Sequence, residues 1–172
     1  MRRSRPGEEK PTGDVAIAMT AASLEVLAVN TYAAALDAAG KGAIGAVPPA
    51  VAEFATTARA HHEAHRDAWN ELLTGLGQQE VTTTPPSLQS TVDDMFGQVR
   101  DLGGVANLAL TLEQIAADTY FAVIPQINDQ KALELAATIH PIDMQHAAVL
   151  RYVLGQYPVP DAFANADAAF TG

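Results

Sequence analysis

The chain has 172 residues, 48% of them hydrophobic and 17% charged, which fits one globular domain with a sizeable core and excludes a disordered chain. A net charge of −10 makes nucleic acid and anionic membrane surfaces poor partners. With no cysteine, disulfides, thiolate metal sites and iron–sulfur clusters are excluded.

The start, MRRSRPGEEKPTGD, is basic and then acidic, with no apolar run directly after it. Residues 1–12 therefore read as a disordered tail rather than an intact signal peptide, and a cytoplasmic location is the expectation. No stretch of 18 or more uncharged apolar residues occurs, so no membrane span is expected. A first helix is expected from about Asp14, a good N-cap, to about Ala39, where Gly40 and Gly42 stop it. After a short link the chain should return antiparallel in a second helix. That helix opens on Pro48-Pro49 and runs to Gly75 or Gly77, with Phe54, Ala58, His62, His65, Trp69 and Leu72 in its pattern. A longer connection, about 76–103, begins extended through Thr82-Thr83-Thr84-Pro85-Pro86, and Ser87 is placed to cap a short helix through Val99. Gly103-Gly104 should separate this from a third long helix, about 105–124, which Pro125 ends. Asp129 then caps a fourth helix reaching about Leu154. Pro141 lies inside it and should kink it by removing a backbone donor. Residues 156–172, with Tyr157, Phe163 and Phe170, are expected to pack irregularly on the bundle. Connections that run short, long, short describe an all-α antiparallel four-helix bundle over residues 13–155, its long crossover carrying a short extra helix.

Two stretches look like copies of one another. LEVLAVNTYAAAL begins at Leu24 and LEQIAADTYFAVI at Leu112, with Leu, Glu, a central Ala, Thr and Tyr in register. Residues three and four apart share a helix face. The neighbours of Glu25 on its face are Ala21, Ala22, Ala28 and Val29; those of Glu113 are Ala109, Leu110, Ala116 and Ala117. Each carboxylate thus sits in an apolar stripe, which is costly unless it is paired, hydrogen-bonded or bound to a cation. The second and fourth helices extend the repeat. Aligning His65 with His146 sets His62 opposite Asp143 and Trp69 opposite Leu150, so each helix offers two ligand types at i and i+3.

One acid from each of two helices, plus an acid-x-x-His pair from each of the other two, is the layout of a di-metal carboxylate site in a bundle. On these residues, over about 14–155, the chain resembles the ferritin-like superfamily, particularly members with a rubrerythrin or bacterioferritin type of site. The resemblance implies two iron or manganese ions between the helices, with Fe(II) oxidised by dioxygen or hydrogen peroxide, as in a ferroxidase. It implies Glu25 and Glu113 as terminal carboxylates, Asp143 as a bridging or single-ion ligand, and His65 and His146 as one imidazole per ion. Tyr32 and Tyr120, two turns from the glutamates, would bond a ligand or pass electrons; as plain core tyrosines they would only keep a hydroxyl satisfied.

His62 departs from the usual pattern, which has Glu there, and leaves three carboxylates and three histidines. Glu63 could supply the missing acid only if the helix were rotated or held a π-bulge, because adjacent residues point about 100° apart. His61 and His140 have no aligned partner and read as surface or outer residues; Glu53 and Glu71 read as solvated charges. Two other readings stand beside the di-metal one: a metal-free interaction module whose site has degenerated, and a single Zn(II) on the histidine-rich half. The Ala-rich helices would also permit a homodimer.

Overall fold

The computed structural model describes residues 12–171. Five α-helices carry the chain: α1 (Gly13–Gly40), α2 (Pro49–Gly75), α3 (Pro86–Gln98), α4 (Leu102–Val123) and α5 (Gln130–Val153), with a 3₁₀ turn at Ile124–Gln126 between the last two. The described residues contain no strand. The tail expected at residues 1–12 lies outside the described residues except for Thr12.

The helix ends follow local chemistry. α1 stops in a Schellman arrangement: Gly42 sits at φ +70° and its N–H donates to the Ala39 carbonyl, while the Ala43 N–H donates to that of Ala38. Only glycine adopts that left-handed backbone without strain. Asp14 does not cap α1, whose N-cap is Thr12. Its carboxylate instead accepts from the Asn128 and Asp129 N–H groups, tying the start of α1 to the turn before α5. Asp129 caps α5 through the Ala132 N–H, as expected. Ser87 does not cap α3; Pro85 holds that position and Pro86 opens the helix. α4 begins three residues earlier than its glycines suggest, because the Asp101 side chain accepts from the Gly104 N–H and draws both glycines into the first turn.

α1 packs chiefly on α2 and α4 on α5, and the two hairpins meet along α1–α4 and α2–α5. The ends of α1 and α5 lie beside the beginnings of α2 and α4 around one apolar cavity, so α2 and α4 run parallel. That is the connectivity a long crossover permits. Asn70 pins the start of the crossover to α2 by exchanging two hydrogen bonds with the Val81 backbone. α3 then lays Val92, flanked by Leu88, Met95 and Phe96, over Leu27 and Leu108. Farther along the same seam the C-terminal residues dock on α4, Ala168 N–H to Asp118 and Phe170 N–H to the Thr119 hydroxyl.

Small residues set the spacing. Ala18, Ala22, Ala58, Ala132 and Ala136 are wholly buried, and side chains this small permit close approach of helix axes. One apolar cluster gathers at Trp69, Leu73, Tyr120 and Ile139, another at Tyr32, Ala58, Leu110 and Leu150. α1 is long and apolar enough to cross a membrane by length and composition alone, yet most of that stretch is buried inside the bundle. Between the two apolar clusters lies a knot of polar side chains.

Candidate metal centre

Glu25, His62, Glu113, Asp143 and His146 are all buried, and His65 is 13% exposed. The close helix packing brings them to one place midway along the bundle. His62, on α2, sits between the two glutamates: Nδ1 lies 2.7 Å from Glu25 Oε2 and Nε2 3.1 Å from Glu113 Oε1. His146 Nδ1 lies 3.3 Å from Glu113 Oε2, and His65 Nδ1 lies 3.6 Å from Glu25 Oε2 and 3.9 Å from Asp143 Oδ1.

The question left by the sequence at α2 has a clear structural answer. α2 is α-helical throughout, His62 faces inward, and Glu63 faces outward to pair with Arg59 at 3.0 Å. His61 is exposed, yet its Nδ1 is 3.0 Å from His146 Nε2 with the two rings stacked. His140 stands apart, its ring against Phe121.

The tyrosines act crosswise. Tyr32 of α1 donates to Glu113 Oε1 of α4 at 2.5 Å, and Tyr120 of α4 donates to Glu25 Oε1 of α1 at 2.6 Å. Each copy of the repeat therefore positions the other copy's carboxylate. The sequence placed each tyrosine near its own glutamate and gave no sign of the exchange. Trp69 adds a contact in one half only, donating its indole N–H to the Tyr120 oxygen at 2.7 Å.

The electrostatics follow from burial among unlike charges. Desolvation works to raise the Glu25 and Glu113 carboxyls, but the hydrogen bonds and charges of His62, His65 and His146 outweigh it and bring both to about 2. Desolvation works to lower His62, but Glu113 and Glu25 hold it well above 6.5. Both of its ring nitrogens face acceptors, so a ring satisfying both is an imidazolium. Asp143 goes the other way: desolvation, and then the charge of Glu25, raise it well above 3.8.

Asp143 also has neither oxygen hydrogen-bonded, and His65 Nδ1 has no partner. Buried polar atoms are seldom left so, and each unmade bond costs about 1–3 kcal/mol. The 3.6 and 3.9 Å separations around His65 are too long for hydrogen bonds. They are short enough for donor atoms that share one cation through bonds of about 2.1 Å. Two groups of donors could each hold an ion: His62, Glu113, Asp143 and His146 in one, Glu25, His62 and His65 in the other. His62 belongs to both, and would have to give up its imidazolium proton to serve as a ligand.

Residues 13–156 match the model of the ferritin-like domain. The chain belongs to the ferritin-like family. Ferritin-like membership agrees with the all-helical bundle and its single long crossover. Among solved structures, the fold is similar to that of a conserved hypothetical protein from Mycobacterium tuberculosis. The TM-score is 0.65 at 21% identity, covering 88% of this chain and 96% of that one. No curated protein matches the sequence. A ferritin-like bundle with these clustered donors could hold metal, and the residues fit that role: the donors are hard oxygens and imidazoles, and two of them, Asp143 and His65, have buried atoms without partners.

Proposed function

We propose that this ferritin-like protein binds two iron or manganese ions, with Glu25, His62, His65, Glu113, Asp143 and His146 as ligands, and reacts with dioxygen or hydrogen peroxide. The observation that carries the reading is Asp143: a fully buried carboxyl group with two unpartnered oxygens, facing an unpartnered histidine nitrogen. Two such ions, when bound, supply the electrons that reduce the oxidant.

The chain's own residues do the rest. Tyr32 and Tyr120 each hold one oxygen of a glutamate and leave the other turned toward histidine nitrogens. Outer hydrogen bonds of this kind orient ligands. His61, its pKa lowered by partial desolvation and by the neighbouring His146, can accept a hydrogen bond from His146 Nε2–H and so leave Nδ1 of His146 turned inward. The apolar clusters on either side exclude water and strengthen every charge interaction between them.

Three carboxylates against two divalent ions leave about one positive charge, which disfavours two trivalent ions more than a four-carboxylate site would. The site on this reading therefore holds two trivalent ions less firmly than a four-acid relative. The second reading rests on His62: as an imidazolium between Glu25 and Glu113 it already supplies a cation, and the bundle would then be a metal-free interaction module. A single Zn(II) among the histidines is the third.

Metal content decides between them. Protein purified without chelator or nickel should hold about two ions per chain after anaerobic Fe(II) addition and oxidise them rapidly in air. One tightly held ion would favour the zinc-type site. No metal in a folded protein would sink the di-metal reading.

A further inference from the structure

Beyond Tyr32 the bundle contains a second feature. The ends of α1 and α5 and the beginnings of α2 and α4 line an apolar cavity of about 50 Å³ that is partly open to solvent. Leu36, Val51, Phe96, Val105, Ala106 and Leu150 contribute to its wall. Two residues of the lining carry hydroxyls, and both are committed elsewhere. Thr31 donates to the Leu27 carbonyl at 2.8 Å, and Tyr32 donates to Glu113. No polar side-chain group is thus left to address the space.

An apolar lining of this kind holds water poorly, because an ordered water needs two to four polar partners. Hydrogen peroxide carries two hydroxyl groups and meets the same barrier. A benzene-sized guest needs about 150 Å³, so an aromatic ring or a longer alkyl chain would not be housed whole. What remains is a small molecule without hydrogen-bonding needs. Tyr32 lines this cavity and also the small void beside Glu25, His62 and Glu113, and is the residue common to both linings.

We propose that this cavity is a docking chamber for dioxygen beside the carboxylate–histidine cluster, with Tyr32 common to both. The inference rests on the oxygen-reactive reading of that cluster and narrows its oxidant from dioxygen or peroxide to dioxygen. The cavity lies at the end of the bundle where the α1–α2 link and the α3–α4 junction meet the helices, giving a route that does not pass through the polar cluster.

The test uses dioxygen itself on the metal-free full chain. Dissolved dioxygen is paramagnetic and speeds the relaxation of methyl protons it visits. Methyl NMR under oxygen, compared with argon, should show several-fold greater enhancement at Leu36, Val105, Leu108 and Leu150 than at Leu73, which is buried in the opposite apolar cluster. Ala106→Leu, which fills the space, should abolish the difference; if that variant fails to fold, Ala39→Leu at the rim serves the same purpose. In iron-loaded protein the filled variant should need several-fold more dioxygen for half-maximal oxidation, with iron stoichiometry unchanged. Equal relaxation across both clusters would overturn the chamber, and so would an oxygen dependence that filling leaves unmoved. Iron oxidation without localised relaxation would overturn the chamber and leave the oxidase reading standing. Localised relaxation in a protein that takes up no iron would support the chamber and sink the oxidase.

Discussion

The two hairpins of this bundle are copies that differ where charge is concentrated. α1 with α2 supplies Glu25, Tyr32, His62, His65 and Trp69; α4 with α5 supplies Glu113, Tyr120, Asp143, His146 and Leu150. The glutamates, the tyrosines and the second histidine of each pair occupy equivalent places. Among these site positions two change character, His62 against Asp143 and Trp69 against Leu150. The first exchange turns a buried acid into a buried base, and the two behave oppositely: His62 has carboxylate oxygens at both nitrogens, and Asp143 has no hydrogen-bond partner at either oxygen. His62 is already satisfied, and Asp143 leaves its acceptors waiting.

The comparison can be broken most severely at its shared feature. Glu25→Gln with Glu113→Gln should remove both ions while circular dichroism still reports a helical bundle; iron retained near two per chain would refute the ligand assignment. Restoring the symmetry is the next largest effect. His62→Glu gives each half an acid and should tighten Fe(II) binding tenfold or more, since one added charge near the ions is worth about 1–4 kcal/mol. The same change should lower the melting temperature of the metal-free protein, which would then bury four carboxyl groups. A competition titration and a thermal melt read the two arms.

The Trp69–Leu150 difference predicts unequal tyrosines. Tyr120→Phe strands the buried Trp69 N–H as well as a Glu25 oxygen and should cost about 1–3 kcal/mol more than Tyr32→Phe, which strands one acceptor. Urea denaturation of the metal-free variants measures it, and equal losses would argue against the indole bond. Among the outer residues, His61→Ala should weaken one of the two ions about tenfold and shift stability by no more than about 0.5 kcal/mol.

The smallest effect is a pH trend in the metal-free protein. A raised His62 stabilises the fold below its unfolded value of 6.5 and loses that contribution as pH climbs through its folded value. Asp143, also raised, opposes folding increasingly above 3.8. Glu25 and Glu113, brought down to about 2, contribute above 4.5 and fail only in strong acid. The melting temperature should therefore fall between about pH 5 and pH 8, and His62→Asn should flatten the decline.

Much of this was legible in the residues. A carboxylate inside an apolar helical stripe is a local pattern, and it was visible twice at one spacing. Glycine and proline marked most helix ends, and the length of one connection indicated which helices run parallel. What escaped were consequences of packing between segments far apart in sequence. The repeat suggested that each tyrosine could bond a ligand but not which one; antiparallel α1 and α4 hand each hydroxyl to the other half's glutamate. Gly103-Gly104 looked like a break because the Asp101 cap that overrides it depends on backbone geometry at the α3–α4 junction. His61 had no aligned partner and so no pattern to reveal it; its stacking on His146 arises only where α2 and α5 meet.

The crosswise tyrosine bonds have a mechanical consequence. Each hairpin is a nearly self-contained pair of helices, and the seam between them is closed at its middle by Tyr32 on Glu113, Tyr120 on Glu25 and His62 on both glutamates. Separating the hairpins and dismantling the polar cluster are therefore one event, so an ion bound there would act as a rivet through the seam. Amide protons in α1–α2 and α4–α5 would then exchange with solvent in step when the cluster is loaded, and drift apart in rate when it is not.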